Sequence, residues 1–142
     1  MDATQLRPGN IVTIENPIAW ANLKGREMMV IAIQIKTDVD FPKSNGSIGL
    51  FDFEDKQTYS QFSEFISGIP LTAELLLDRC GFEPIFESKQ WMRDKTGFAV
   101  KIETDGIYYY GSSTGPIKLD YLHTLQNLYQ PLNRGTELTI KP

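Results

Sequence analysis

Residues 98–110 read FAVKIETDGIYYY, two alternating apolar runs joined by the dipeptide Asp105-Gly106. An Asp-Gly pair between such runs is one of the strongest short-range signals for a β-hairpin, because glycine adopts the positive φ that the tight turn requires. The stretch therefore predicts antiparallel strands over residues 98–103 and 107–110. A further strand is predicted just before them, over residues 85–92.

Helices are predicted on both sides of this hairpin. The first helix begins after Thr72, which has the position of an N-cap, and Glu74 lies in its positively polarised first turn. Gly81 can adopt the left-handed backbone conformation that commonly ends a helix. The second helix spans residues 120–132, and Pro131 should end or kink it. Its apolar stripe has spacings of three and four, in Tyr121, Leu122, Leu125, Leu128, Tyr129 and Leu132. A short closing strand is expected over residues 138–140.

The first half of the chain is typical of short strands. Residues 11–14 form a β-branched run after a turn, and residues 18–23 are predicted as a loop or one helical turn. From Met29 the residues alternate, which predicts that Met29, Ile31, Ile33 and Ile35 share one strand face. Residues 37–46 form a loop, and segments around residues 48–53 and 59–66 add further strands. Four or five strands without room for crossover helices favour antiparallel pairing.

These patterns predict an α+β fold. We expect an N-terminal SH3-like antiparallel curled sheet, residues 1–69, packed on a C-terminal lobe of antiparallel strands and two helices, residues 70–142. The connection between the two sub-lobes is too short to be a flexible linker, so the chain, residues 1–142, is interpreted as a single domain.

Composition excludes several classes of protein. The 142 residues carry 14 Lys and Arg against 18 Asp and Glu, a net charge of -4, which argues against a general basic surface for nucleic acid. One cysteine excludes an internal disulfide framework, and one histidine excludes His-pair metal motifs. No signal-peptide or membrane-spanning run is present, so we expect a soluble cytoplasmic protein without membrane association.

Acidic residues offer a weak metal-site pattern. Asp38 or Asp40 with Glu54-Asp55-Lys56, and Asp78 with Glu87-Ser88-Lys89, match a loose arrangement of carboxylates and a lysine. Two matches in a chain with 18 acids are what chance produces, so ordinary solvated turns are the favoured interpretation. No phosphate-binding glycine loop is found, and no cofactor is predicted.

A polar stripe on the second predicted helix consists of His123, Gln126, Asn127 and Gln130. It could be a recognition surface, or His123 could act in proton transfer. The favoured interpretation is the solvated face of an amphipathic helix. Cys80, beside the helix C-terminus, is predicted to be a buried structural cysteine, since a thiolate is not stabilised at that end.

The tyrosine run is the other candidate surface. Tyr108 and Tyr110 share one strand face and could stack nucleobases, with Lys101 and Lys118 nearby. Packing across the hairpin is the favoured alternative, because tyrosine is a common strand residue.

Three segments of the chain together carry a resemblance to known proteins. They are, in this order, Leu6-Arg7-x-Gly9-Asn10-x-Val12, then Ile69-Pro70-Leu71-Thr72-x-Glu74-x-Leu76 with Cys80-Gly81-Phe82, and then Tyr121-Leu122-His123-x-Leu125-Gln126-Asn127-Leu128-Tyr129 with Thr136-Glu137-Leu138. In this order they resemble a family of small uncharacterised proteins of Bacteroidetes bacteria and their phages or integrated elements. The resemblance spans nearly the whole chain and implies a cytoplasmic bacterial or phage context; it carries no activity or catalytic residue to transfer.

The sequence thus predicts a non-enzymatic accessory or protein-interaction protein, with a mobile element as its suggested origin. One alternative is a nucleic-acid-associated small-barrel module. It requires the tyrosine face to lie beside a cluster of Arg7, Lys24, Arg26, Lys101 and Lys118. The other alternative, the less favoured one, is a metal-dependent hydrolase, which requires Asp38 or Asp40 to meet Glu54.

Overall fold

The computed structural model of the protein describes residues 1–15, 21–85 and 90–142. Within these ranges the chain forms two compact units, Met1–Ile69 and Pro70–Pro142. Each unit has an antiparallel sheet of five strands, and the described part of the chain also contains two α-helices and three short 3-10 helices, Ala3–Gln5, Ala21–Leu23 and Ser63–Phe65. The predicted α+β class with antiparallel sheets is confirmed, whereas the single domain stays a prediction.

The first unit is built from consecutive strands that pair with their neighbours. Its sheet has the order β4-β3-β2-β1-β5, so the last strand returns to pair with the first. The strands are β1 (Ile11–Ile14), β2 (Glu27–Ile35), β3 (Gly46–Asp52), β4 (Thr58–Phe62) and β5 (Ile66–Gly68). Its largest fully buried side chains are Val12, Ile14, Leu23, Met28, Val30, Ile48 and Leu50.

Strand β2 departs from the predicted alternation. Val30 lies opposite Leu50, and Ala32 lies opposite the adjacent residue of the antiparallel strand β3, Gly49. Ile31 is therefore an extra residue in β2 that has no residue of β3 opposite it. Such a β-bulge reverses the faces that follow it. Ile31 is exposed, whereas Ile33 packs on the core. The prediction that Met29, Ile31, Ile33 and Ile35 share one face is therefore wrong.

The second unit contains both helices and the other sheet, whose order is β10-β9-β8-β7-β6. The predicted hairpin is confirmed: Glu103 pairs with Gly106 around the Thr104–Asp105 turn, and Gly106 has a φ of 152°. The elements are α1 (Ala73–Arg79), β6 (Glu83–Pro84), β7 (Trp91–Arg93), β8 (Ala99–Glu103), β9 (Gly106–Tyr109), β10 (Ile117–Lys118) and α2 (Leu122–Leu132).

Both helices lie where the sequence predicts them, α1 from its capping signals and α2 from the spacing of its apolar residues. The Thr72 side chain accepts a hydrogen bond from the Leu75 N–H at 3.1 Å, as an N-cap does. Helix α2 runs through Pro131 and ends one residue later, with Asn133 as its C-cap. Among the described residues, no helix combines the length and the apolar character needed to cross a membrane.

Three predictions about the second unit need correction. Strand β10 was not expected. Residues 138–140 form no strand; instead the chain end attaches to α1, where the Lys141 N–H donates to the Arg79 carbonyl at 2.9 Å and Arg79 Nε donates to the Lys141 carbonyl at 2.7 Å. The predicted strand over 85–92 is replaced by β6 and β7, and its residues 86–89 lie outside the described residues, as do residues 18–20 of the predicted loop over 18–23.

Candidate interaction face

One face of the second sheet collects aromatic and basic side chains in a single row. Trp91 of β7 lies opposite Lys101 of β8, which lies opposite Tyr108 of β9, which lies opposite Lys118 of β10. Tyr110 follows Tyr108 two residues later and therefore points to the same side. We call these five residues the aromatic face.

Lys101 lies between two rings of this face. Its Nζ is 5.8 Å from the Trp91 ring centroid and 5.7 Å from that of Tyr110, and the two rings are themselves 5.9 Å apart. A cation at this distance from an aromatic ring contributes about 0.5–1 kcal/mol at an exposed site. Tyr110 is 42% exposed and therefore open to a partner, whereas Trp91 is half-buried.

The tyrosine hydroxyls are bonded to neighbouring carboxylates. Tyr108 donates to Asp105 and Tyr110 donates to Glu103, each at 2.7 Å. The hydrogen bond to Asp105, with partial burial, raises the pKa of Tyr108 to about 12. The bond to Glu103 raises the pKa of Tyr110 in the same way. Both phenols therefore stay protonated at any physiological pH and keep their orientation.

Each lysine of the aromatic face has an acidic neighbour. Lys101 Nζ lies 3.3 Å from Glu103 Oε1, and Lys118 Nζ lies 3.6 Å from Asp120 Oδ1. The face thus combines aromatic rings with charges of both signs. A surface of this kind does not concentrate a polyanion by charge alone.

A buried carboxylate fixes the end of the sheet beside Trp91. Asp94 Oδ1 accepts hydrogen bonds from the Thr96 hydroxyl at 2.6 Å and from the Phe98 N–H at 3.1 Å. Its other oxygen accepts the hydroxyl proton of Tyr129, which belongs to α2. This network holds the turn between β7 and β8 against the helix and so places Phe98, whose ring stacks on Tyr109 at 5.0 Å.

The predicted polar stripe of α2 does not form a solvated face. His123 and Gln126 are each only 3% exposed, while Asn127 and Gln130 are half-buried. Spacing along a helix shows which residues share a face and leaves open what covers that face. The prediction of a wet face is therefore wrong for His123 and Gln126.

His123 itself is a buried histidine with an unsatisfied atom. Its Nδ1 has no hydrogen-bond partner among the residues that the structure describes, and its ring stacks on Tyr121 with centroids 5.5 Å apart. Burial lowers the pKa of His123 below its usual 6.5. The imidazole is therefore neutral at neutral pH.

Of the basic residues proposed for nucleic acid, the structure brings Lys101 and Lys118 together beside the tyrosines. Arg7, Lys24 and Arg26 belong to the first unit. Arg26 forms salt bridges with two carboxylates, with its Nη1 2.7 Å from Asp52 Oδ2 and its Nε 3.4 Å from Glu54 Oε2.

The carboxylates considered for a metal have other roles. Glu54 pairs with Arg26, and Asp38 accepts the Asp40 N–H at 2.9 Å within its own turn. Within the described ranges no group of three or more His, Cys, Asp or Glu is arranged to hold a metal ion. The second pattern combines Asp78 with Glu87-Ser88-Lys89, and its residues 87–89 lie outside the described residues.

Cys80 is buried, as predicted, and burial raises the pKa of its thiol to about 11.

Sequence reasoning missed Trp91 as a member of the aromatic face. The hairpin gives the pairing of Lys101 with Tyr108 locally, but Trp91 joins them through a separate strand whose register no local signal specifies.

Comparisons of the chain with models of protein families, with curated proteins and with solved structures found no match.

Proposed function

We propose that the protein is a non-enzymatic interaction protein that binds a protein partner through the aromatic face. The observation that carries this proposal is the row Trp91, Lys101 and Tyr108 with the 42% exposed ring of Tyr110 beside it. Tryptophan and tyrosine dominate the residues that contribute most to protein–protein binding, because they bury a large rigid area and keep a polar group.

The charges of the face favour a protein partner over a nucleic acid. Glu103, Asp105 and Asp120 lie beside the tyrosines and lysines and would repel a phosphate backbone. A protein surface presents charges of both signs and can match such a pattern at the rim of an interface. A nucleic-acid-associated module therefore remains the second proposal, and a metal-dependent hydrolase the least supported.

We also propose that the first unit is an SH3-like small barrel. Support comes from the strand order β4-β3-β2-β1-β5, in which β5 pairs with β1, and from the 3-10 turn Ser63–Phe65 between β4 and β5. The bulge at Ile31 adds a strong local bend to the nine-residue strand β2, and such a bend helps a sheet to curl.

The resemblance to proteins of Bacteroidetes bacteria and their phages supports a further proposal, that the protein acts in the cytoplasm of such a bacterium, with a mobile element as its origin. The partner is then another protein of that compartment.

Chemical crosslinking in native cells, followed by capture of the tagged protein, tests the interaction role. The wild type is compared with a Trp91→Ala/Tyr110→Ala variant and with Phe53→Ala, a matched removal of an exposed aromatic ring from the first unit. A partner retained by the wild type and by Phe53→Ala but lost with the double variant is the expected result. Equal capture by all three proteins would exclude the aromatic face as the binding surface.

A further inference from the structure

A cleft opens at the end of the aromatic face, where the sheet meets the last turn of α2. Its volume is about 410 Å³, within the range of pockets that hold small ligands or side chains. Trp91 and Tyr110 line it from the sheet, Phe98 and Tyr109 from the strand ends, and Leu132 from the helix. Leu132 is 50% exposed, so its side chain is accessible to an occupant of the cleft.

The described lining of the cleft is aromatic and uncharged. None of the lining residues that the structure describes is acidic or basic, although lysines and carboxylates lie just outside the cleft on the aromatic face. The Trp91 and Tyr110 rings, on one side of the sheet, are tilted by 53° to each other. Phe98 lies nearly parallel to Tyr109, whose side chain points to the other side of the sheet, so the cleft is bounded by two separate aromatic pairs. The absence of a side chain at Gly111 leaves room for the Tyr109 ring, since a Cβ there would overlap it.

The cleft also has hydrogen-bond donors to offer. Neither the indole N–H of Trp91 nor the hydroxyl of Tyr109 has a hydrogen-bond partner in the part of the chain that the structure describes. An occupant that fits needs flat apolar surface, carbonyl acceptors and no charge. A proline-rich segment has these properties, because each proline contributes a ring and a carbonyl but no N–H that must be satisfied.

We propose that this cleft binds an extended proline-rich segment of the partner protein. The inference rests on the proposed interaction role and names the partner's chemistry. Proline-rich segments adopt the polyproline II conformation before binding, so little entropy is lost when they dock in an aromatic groove. A charged anchor would lose its hydration in the uncharged cleft without gaining an ion pair.

Fluorescence anisotropy with a labelled decaproline peptide tests the proposal on the full chain. The wild type is compared with Leu132→Glu, which places a charge in the cleft, and with Leu77→Glu. Leu77 lies on α1 outside the cleft and is 51% exposed, so it gives a matched substitution. A Gly-Ser peptide of equal length controls for nonspecific binding. Circular dichroism melting shows that the variants are folded.

We expect saturable binding of decaproline to the wild type and to Leu77→Glu, and at least roughly tenfold weaker binding to Leu132→Glu, the loss typical of a disrupted anchor pocket. The absence of saturable binding to the wild type, or equal binding by the two glutamate variants, overturns the proposal. Where the crosslinked partner depends on Trp91 and Tyr110 but decaproline does not bind, the interaction role stands and the proline-rich occupant is rejected. If the crosslinked partner does not depend on Trp91 and Tyr110 and decaproline does not bind either, both the interaction role and the proline-rich occupant are rejected.

Discussion

At the scale of single residues, burial decides the chemistry of His123. The chain has one histidine, so titration of an imidazole can be assigned to it directly. Its buried position, with Nδ1 unsatisfied, disfavours the charged form. The folded protein therefore holds this proton less tightly than the unfolded chain does.

His123 predicts a loss of stability on mild acidification. Because burial lowers the pKa of His123 below 6.5, the unfolded chain binds a proton first as the pH falls past that value. The free energy of unfolding should then decrease from about pH 6.5 down to the folded-state pKa. Urea unfolding between neutral pH and about pH 5.5 should show this decrease in the wild type and a flatter profile in His123→Gln. Parallel profiles for the two proteins would contradict the assignment.

At the scale of structural elements, Asn45 connects three distant parts of the first unit. Its Oδ1 accepts the Ala3 N–H at 2.8 Å and the Ser63 hydroxyl at 3.2 Å, and its Nδ2 donates to Asp2 at 2.6 Å. The start of the chain, the end of the 37–46 loop and the turn after β4 are thereby joined. In the sequence this residue is one of several polar loop residues.

Removing this side chain should weaken the first unit. Asn45→Ala leaves the Ala3 N–H without its acceptor, beside a side chain that is fully buried, and should lower the free energy of unfolding by about 1–3 kcal/mol. Asn45→Asp is the matched control, because it keeps the acceptor oxygen but places a second carboxylate beside Asp2. Asn45→Asp should lower the free energy of unfolding less than Asn45→Ala does, and added salt should reduce this decrease because it screens the two carboxylates. Urea unfolding at low salt and with added salt measures both variants, because urea is uncharged and does not screen the repulsion. No change in Asn45→Ala would show that the network contributes nothing.

The same scale shows why parts of the fold and of the site were predictable. The Thr104–Asp105 turn, followed by Gly106, and the Thr72 cap depend on a few adjacent residues, so their sequence signals are complete. The bulge at Ile31 and the position of Trp91 depend on which residues of another strand lie opposite, and that pairing is specified by the packed sheet.

At the scale of the whole molecule, the net charge of -4 opposes association with polyanions. On the aromatic face the two lysines are matched by Glu103, Asp105 and Asp120. The net charge of the chain and the local charges on the aromatic face therefore both disfavour binding of a polyanion.

Wild-type protein should show no saturable binding of single-stranded DNA or RNA in a low-salt anisotropy titration. Neutralising the acids in a Glu103→Gln/Asp105→Asn/Asp120→Asn variant should leave Lys101 and Lys118 uncompensated and produce weak binding that salt removes. Strong, salt-sensitive binding by the wild type would instead support the nucleic-acid alternative, and Tyr108 and Tyr110 would be the next positions to mutate.

The sequence by itself determined the antiparallel α+β class, the two helices, the central hairpin and the burial of Cys80. These features follow from local backbone preferences and from the spacing of apolar residues, which act over a few neighbouring positions. Only the tertiary structure decided that His123 is buried, that Trp91 joins Tyr108 and Tyr110 on one face, and that an uncharged cleft opens beside Leu132. Each of these depends on residues far apart in the chain, whose register and packing are fixed only when the sheet and helix come together.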